Sequence, residues 1–346
     1  MSGVGFLRWK GLGTQGPSLP SGALEQIERQ VDSMGTLLRL TVEAASRDEA
    51  LAASEAAISA VRRVEQRLST WREDSELSRL NRAPVGEVRE LSSALAQDLE
   101  RARHWWQKTQ GAFDPGIGAL LDAYGVRQGG RDPTPEEIAI ARSSGGFRAL
   151  TLDGLRAVRC HPALRIEEGG FGKGIGLDAA IAAIGDRPVR RAVFDLGGQL
   201  ALLGDDANAC FAVADPAERD HTVLLVRIAR GSLATSGNSE RAIVVGGRRR
   251  SHLFDPRTGE PCTDFGSLTV HAKDATAADC LSTGLYVLGP ESALDFAAAR
   301  TDVDVLVLEP QSDGRLHARA TGTLAGSIEI LDPRVELSCF PGRPKD

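Results

Sequence analysis

Residues 169–178 read GGFGKGIGLD, and this stretch carries most of the information about the fold. It lies between a predicted strand and a predicted helix. Closely spaced glycines at such a turn let backbone N–H groups approach an anion, and both the helix dipole and Lys173 favour negative charge there. We therefore expect an exposed turn near an anion, although close packing of a helix on a sheet would select the same glycines.

The stretch matches neither of two common nucleotide-binding signatures. A Walker A loop requires Ser or Thr after Gly-Lys, and Gly174 stands at that position. The dinucleotide fingerprint requires a βαβ unit with an acidic residue at a set distance, which the surrounding sequence lacks. The sequence therefore does not predict a doubly wound parallel fold.

Apolar periodicity in the rest of the chain predicts helices and strands that do not alternate strictly. Helices are predicted at residues 47–68, 91–110, a short segment after Pro133, 173–184, 274–287 and 291–299. Strands are predicted at 36–44, 149–152, 163–166, 192–196, 198–203, 210–214, 222–229, 242–245, 267–271 and 303–308. This mixture is typical of an α+β fold with mixed sheets and flanking helices.

Composition restricts the class of protein. The chain has 346 residues and a net charge of -6, which argues against general nucleic-acid binding. None of its five cysteines forms a C-x-x-C pair, which fits a reducing compartment. Residues 1–24 contain no apolar run typical of a signal peptide or membrane span. We expect these residues to be a disordered arm of a cytoplasmic protein.

The segment DCLST at residues 279–283 combines a carboxylate with a hydroxyl. Asp279 and Thr283 are four positions apart, so they share one face of the predicted helix. Hard oxygen donors of this kind suit Mg²⁺ whose coordination is completed by phosphate and water. A solvated helix face is the competing interpretation.

The segment SHLFDPRTG at residues 251–259 predicts a tight turn. Pro256 fixes one φ angle and Gly259 permits a positive one. His252 stands just before the turn, at the end of a predicted strand. A lone histidine is more often structural than catalytic, so this motif alone indicates little about function.

Two further segments are predicted loops that contain aromatic residues. TWREDSELSRLN at 70–81 contains Trp71, and GAFDPGIG at 111–118 contains Phe113. Either ring could stack on a flat ligand ring or cover the core.

Together, eight segments in this order resemble the FAD:protein FMN transferase family, also called the ApbE family. The resemblance covers roughly residues 31–310. The segments are MGT at 34–36, STWREDSELSRLN at 69–81, GAFDP at 111–115, GGFGKGIGLD at 169–178, GG at 197–198, TSG at 235–237 with ER at 240–241, SHLFDPRTG at 251–259 and ADCLST at 278–283.

The resemblance implies an architecture and an activity. It implies a flavin transferase domain at residues 25–310, built from two interleaved subdomains around a central FAD cleft, with residues 311–346 as a C-terminal extension. The implied reaction is Mg²⁺-dependent transfer of FMN from FAD to a Ser or Thr hydroxyl of an acceptor flavoprotein, with release of AMP. A Mg²⁺-dependent FAD pyrophosphatase and a non-catalytic FAD-binding protein are the alternatives.

The resemblance also implies roles for individual residues. Asp279 and Thr283 would bind Mg²⁺ together with a backbone carbonyl near Gly170, and Asp279 and His252 would be catalytic. Lys173 would lie close to the nucleotide. The other implied FAD-binding residues are Met34, Trp71, Ala112, Phe113, Asp114 and Glu167.

The chain departs from the family pattern near the glycine-rich stretch. Glu167 and Glu168 stand where the family usually has Asp and an apolar residue, and Trp71 stands where Tyr is common. Gln199 and Ser239 also replace an acidic and an aromatic family residue respectively.

Overall fold

The computed structural model describes residues 7–9, 24–204, 209–238, 243–245 and 248–341. The helices are α1 (Arg47–Leu68), α2 (Glu76–Arg82), α3 (Ser93–Lys108), α4 (Gly118–Ala123), α5 (Pro135–Arg142), α6 (Gly172–Ile184), α7 (Ala275–Leu288) and α8 (Pro290–Ala298). The strands are β1 (Leu7–Trp9), β2 (Glu25–Ser33), β3 (Thr36–Ala44), β4 (Val88–Glu90), β5 (Leu150–Asp153), β6 (Arg156–Arg159), β7 (Val189–Leu196), β8 (Gln199–Leu203), β9 (Ala209–Ala214), β10 (Thr222–Ile228), β11 (Gly231–Gly237), β12 (Ile243–Val245), β13 (Arg248–Arg250), β14 (Ser267–Ala272), β15 (Val303–Pro310), β16 (Leu316–Ala320), β17 (Ile328–Ile330) and β18 (Val335–Cys339).

A nine-stranded sheet in the order β18-β16-β15-β14-β11-β8-β7-β3-β2 forms the centre of the molecule. Its neighbouring strands are antiparallel except β16 and β18, which are parallel. Side chains alternate across this sheet. In β7, Phe194 packs in the core formed with α1 and α6, whereas Val193 packs in the core formed with the sheet β1-β9-β10-β17. The central sheet is therefore covered by helices on one face and by a second sheet on the other.

Helix α1 is explained by its sequence. The Ser46 side chain accepts a hydrogen bond from the backbone N–H of Glu49 and caps the first turn. Ala50, Ala53 and Ala57 are fully buried, and their small side chains let the helix lie close to its neighbours. This face packs against β3 and α6, so α1 fixes the position of the glycine-rich helix.

The chain between α1 and α6 builds a second structural unit. It contains α2–α5 and the three-stranded sheet β4-β6-β5. Its apolar residues, such as Leu77, Leu95 and Ile166, share one core with Leu281 and Leu285 of α7. Helix α7 therefore lies at the junction of this unit with the central sheet.

The α+β fold with mixed sheets is confirmed, and most predicted elements match observed ones within a few residues. The predicted strand at 163–166 is wrong, because only Arg165 there makes an isolated bridge, to Ile117. The predicted loop at 70–81 is wrong in its second half, where Ser75 caps α2. The pattern also missed β11, whose sequence GSLATSG has few strand-favouring residues.

The two ends of the chain contribute strands as well. Residues 7–9, within the predicted arm, form β1 and pair with β9, while the rest of residues 1–23 lie outside the described part. Residues 311–341 supply β16, β17 and β18, two of which belong to the central sheet. Within the described residues, no helix is both long enough and apolar enough to cross a membrane.

Candidate active site

The start of α7 is fixed by two aspartates. The Asp178 carboxylate, on α6, accepts hydrogen bonds from the backbone N–H groups of Ala275 (2.7 Å) and Thr276 (3.1 Å). Asp274 accepts another from the N–H of Ala277 at 2.8 Å. These bonds satisfy N–H groups that a helix start leaves unpaired. They also lock α7 to α6, so the residues on their facing sides keep a defined separation.

Gly172, Gly174 and Gly176 lie inside α6 and are buried, which corrects the exposed turn expected around Lys173. Gly169 and Gly170 lie in the turn before the helix, where Gly169 is exposed. A Cβ atom at Gly174 would lie 2.4 Å from the carbonyl oxygen of Ala275, so the backbones of α6 and α7 touch there. Close packing therefore does select a glycine at position 174, but α6 packs there against helix α7 rather than against a sheet. The N–H of Gly174 donates to Asp279 Oδ2 at 2.9 Å.

Asp279 is the buried carboxylate of this junction, and its side chain is only 4% exposed. Its Oδ1 lies 3.1 Å from Lys173 Nζ, and the Lys173 side chain is 30% exposed. An ammonium group and an amide N–H therefore both stabilise negative charge on the carboxylate. The competing interpretation of a solvated helix face does not fit Asp279.

Thr283, one turn further along α7, lies beside the glycine-rich segment. A Cβ at Gly170 would lie 3.3 Å from Thr283 Oγ1 and 3.2 Å from the Phe113 ring. A Cβ at Gly284 would lie 2.8 Å from Phe113 Cβ. Three segments far apart in sequence therefore meet around Thr283.

The donors at this junction fit a hard cation. No cluster of three or more His, Cys, Asp or Glu side chains that could hold a metal occurs among the described residues. The available donors are the carboxylate of Asp279, the hydroxyl of Thr283 and the nearby backbone of Gly170. These are oxygen ligands, which Mg²⁺ prefers, and a Mg²⁺ site of this kind is completed by phosphate oxygens and water.

The loop at 111–118 is packed rather than open. Ala112 and Phe113 are buried, so Phe113 lines the core instead of presenting a free ring face. Asp114 accepts hydrogen bonds from the N–H groups of Gly116 and Phe147 at 2.7 and 2.8 Å. Burial raises the pKa of Asp114 to about 6, against the opposing effect of these bonds. The Asp114 carboxylate thus fastens this loop to the neighbouring turn.

Trp71, by contrast, is 71% exposed. Its segment is tied to the residues before the glycine-rich stretch, because the Asn81 side chain makes two 2.8 Å hydrogen bonds with the backbone of Ile166. Glu167 accepts a hydrogen bond from Thr70 Oγ1 at 3.0 Å. Of the two candidate stacking rings, Trp71 is the one with an accessible face.

Met34 packs over the glycine-rich helix. Its backbone has a positive φ of 52° in the turn between β2 and β3. Cβ atoms at Gly172 and Gly176 would lie 3.2 and 3.1 Å from its Cε and Sδ atoms. The missing side chains of these two glycines therefore make room for Met34, which joins the turn to the start of α6.

His252 lies half-buried in a segment held next to α7. Its neighbour Ser251 hydrogen-bonds to Asn238, which follows β11. At the end of β11, Ser236 Oγ donates to Ser282 Oγ at 3.1 Å, next to Thr283. The turn after His252 packs on α5 through Gly259, whose φ is +81°. The motif residues Glu240 and Arg241 lie outside the described residues.

Arg127 is a residue of this region that sequence reasoning missed. It bonds to Thr70 and Glu167 and lies over the Trp71 ring. No motif includes it, and its distance in sequence from these partners left no signal.

The chain is similar in sequence to a known protein family. The family model described as "ApbE family" matches residues 34–307. The chain is 32% identical to the FAD:protein FMN transferase of Rhodobacter capsulatus over 276 residues, covering 74% of this chain and 52% of that protein. It is 30% identical to the protein of the same name from Vibrio cholerae over 259 residues, covering 72% of this chain and 77% of the relative.

The fold is also shared with solved structures. The ApbE protein of Thermotoga maritima superposes with a TM-score of 0.76 at 27% identity, covering 84% of this chain and 96% of that one. The family match includes the α6–α7 junction, the unit between α1 and α6, and the central sheet except its outer strands β2, β16 and β18. Both the sequence match and the arrangement of these elements lead to one conclusion: the chain belongs to the ApbE family.

Proposed function

We propose that this protein is a Mg²⁺-dependent FAD:protein FMN transferase, which transfers FMN from FAD to a Ser or Thr hydroxyl of an acceptor flavoprotein. The observation that carries the proposal is the α6–α7 junction, where Asp279, Lys173, Thr283 and Gly170 come together. The Asp279 carboxylate is an oxygen donor that suits a metal ion, and the Lys173 ammonium beside it suits a phosphate, which supports cleavage of a metal-bound pyrophosphate as the reaction. Relatives bearing that name match over about three quarters of the chain.

In this proposal, each part of the site has a distinct task. FAD would lie where the unit between α1 and α6 meets α7, with a flat ring against the open face of Trp71. Lys173 would face the pyrophosphate, since its side chain is the partly exposed member of the pair with Asp279. Bound to Asp279, Thr283 and a carbonyl near Gly170, Mg²⁺ would neutralise the pyrophosphate and stabilise charge on the leaving phosphate.

The proposed reaction is a substitution at phosphorus. The acceptor hydroxyl oxygen forms a new bond to the phosphorus on the FMN side, and the bond from that phosphorus to the bridging oxygen breaks. AMP leaves with the bridging oxygen, and the hydroxyl proton passes to a base. His252 and a carboxylate are the two candidates for that base. Positioning of the two reactants by the packed loops supplies much of the remaining catalysis.

One experiment tests the proposal directly. Purified protein is incubated with FAD and Mg²⁺, with and without an acceptor flavoprotein, and both AMP and acceptor-bound flavin are measured. The transferase predicts AMP in proportion to covalent flavin, and little AMP without acceptor. AMP and free FMN in equal amounts without acceptor would instead identify a pyrophosphatase, and FAD binding without AMP would identify a flavin-binding protein.

A further inference from the structure

The guanidinium of Arg127 contacts Thr70, Glu167 and the exposed indole of Trp71. One nitrogen, Nη2, lies 2.6 Å from Glu167 Oε2 and 2.5 Å from Thr70 Oγ1. The other, Nη1, donates to the carbonyl of Thr70 at 3.3 Å. The guanidinium carbon lies 4.3 Å from the centre of the Trp71 ring, within the range of a cation–π contact. A single side chain therefore links the 70–71 segment to residue 167.

The backbone holds Arg127 in place for these contacts. It is the middle residue of the short 3₁₀ turn Val126–Gln128, between Gly125 and Gly129, whose φ angles of 60° and 94° favour glycine. Tyr124, which directly precedes Gly125, is buried, and its hydroxyl donates a hydrogen bond to the carbonyl of Gly259 at 3.0 Å. The turn that carries Arg127 is thus anchored to the 255–259 turn.

The charges around Arg127 explain why this position needs an arginine. The Thr70 hydroxyl oxygen lies 3.0 Å from Glu167 Oε2 and 2.7 Å from Glu168 Oε2, so two carboxylates lie close together and compete for its single proton. Burial raises the pKa of Glu167, Glu168 raises it further, and Arg127 opposes both effects. A planar guanidinium can bond to a carboxylate along its edge while its face lies against an aromatic ring, which an ammonium group does not do.

We propose that Arg127 is a positioning residue of the FAD site, which fixes the Trp71 ring so that one face rests on the guanidinium and the other is presented to a ring of FAD. The inference rests on the proposed function, because it assumes that FAD is the ligand. It adds a residue that no motif of the chain includes, and it gives the 71% exposed indole of Trp71 a packing partner on one face.

The test compares FAD dissociation constants, measured by flavin fluorescence, in a double-mutant cycle of Arg127→Ala and Trp71→Ala. We expect Arg127→Ala to raise the Kd about tenfold in the parent and less than about threefold in the Trp71→Ala background. We also expect the KM for FAD to rise while kcat at saturating FAD changes little. Arg127→Lys keeps the positive charge but replaces the planar guanidinium by an ammonium group, so its Kd for FAD should lie between those of the parent and Arg127→Ala.

The matched control is Arg72→Ala, which removes an exposed cation next to Trp71 that pairs with Asp74. Its Kd should stay within about twofold of the parent value. An equal effect of Arg127→Ala in both backgrounds would show a general structural role and overturn the inference, as would an unchanged Kd. If Arg127→Ala does not fold, the same cycle with Arg127→Lys decides. A parent that does not bind FAD overturns the proposed function itself, whereas a parent that binds and transfers leaves that function standing whatever Arg127→Ala does.

Discussion

The substitution Asp279→Asn tests the centre of the proposed mechanism, because it keeps the shape of the side chain and removes its charge. The amide oxygen of Asn can still accept the hydrogen bond from the N–H of Gly174, which is 2.9 Å from the carboxylate in the parent. The contact with Lys173 Nζ at 3.1 Å loses its ionic character. The fold should therefore survive while the net charge of the Lys173–Asp279 pair rises from zero to plus one.

The expected magnitudes differ strongly between stability and catalysis. A hydrogen bond to a charged group contributes about 1.5–3 kcal/mol, and the 30% exposure of Lys173 puts this pair at the lower end of that range. We expect the free energy of unfolding to fall by about 1–2 kcal/mol. Loss of one strong electrostatic stabiliser should slow pyrophosphate cleavage about 10²-fold or more, which corresponds to about 2.7 kcal/mol in the barrier. FAD binding should change much less, because ring stacking does not use this carboxylate.

The decisive quantity is AMP released per bound FAD at fixed Mg²⁺, compared between Asp279→Asn and the parent. Asp274→Asn is the matched control, since it removes a half-exposed carboxylate from the same helix and Asn caps a helix as well as Asp. The control should release AMP at the parent rate. An unchanged ratio in Asp279→Asn would refute the assignment of the metal site to α7, and the proposed mechanism with it.

Three further predictions follow from the same geometry. Gly174→Ala should lower the free energy of unfolding by about 2–4 kcal/mol in a denaturant titration, because the added Cβ would lie 2.4 Å from the Ala275 carbonyl oxygen. The control is Gly169→Ala, which has open space around the added Cβ and should change the free energy of unfolding by less than about 0.5 kcal/mol. Thr283→Val should raise the Mg²⁺ concentration for half-maximal AMP release about tenfold, and Thr283→Ser, which keeps the hydroxyl, should leave it unchanged. Asp114 has a folded pKa of about 6, above its unfolded value of 3.8, so the folded state binds more protons in between and stability falls as pH rises from about 4 to 6. Asp114→Asn does not titrate, so the difference in unfolding free energy between it and the parent should change by about 2.4 kcal/mol between pH 4 and 7. A constant difference would contradict the raised pKa of the buried carboxyl group.

Local patterns in the sequence predicted much of this protein. The helix at 47–68 is marked by apolar residues at helical spacing and was predicted with its observed bounds. The four-residue spacing of Asp279 and Thr283 requires only that the segment be helical, so their common face was predictable as well. The order of the eight motifs identified the family that the comparisons confirm.

Other features could not be predicted because they depend on how distant segments pack. The sequence suggested an exposed glycine turn, whereas Gly174 is buried because α7 lies against α6 at that point. From the sequence, Trp71 and Phe113 were equal candidates for stacking on a ligand ring. In the fold, Phe113 is buried where it packs against α7, whereas Trp71 stays exposed. Strand β11 carries little local signal, and its hydrogen bonds to β8 and β14 define it.

The sequence by itself therefore determined most of the helices and strands, which residues share a helix face, and to which family the chain belongs. Tertiary structure alone decided that Lys173 pairs with Asp279, which lies 106 residues away, and that Arg127 joins Thr70 to Glu167 across 57 and 40 residues. The physical reason is that helical periodicity acts over a few residues along the chain. Ion pairs and buried contacts depend instead on distances in space, which only the packing of α6, α7 and the intervening unit establishes.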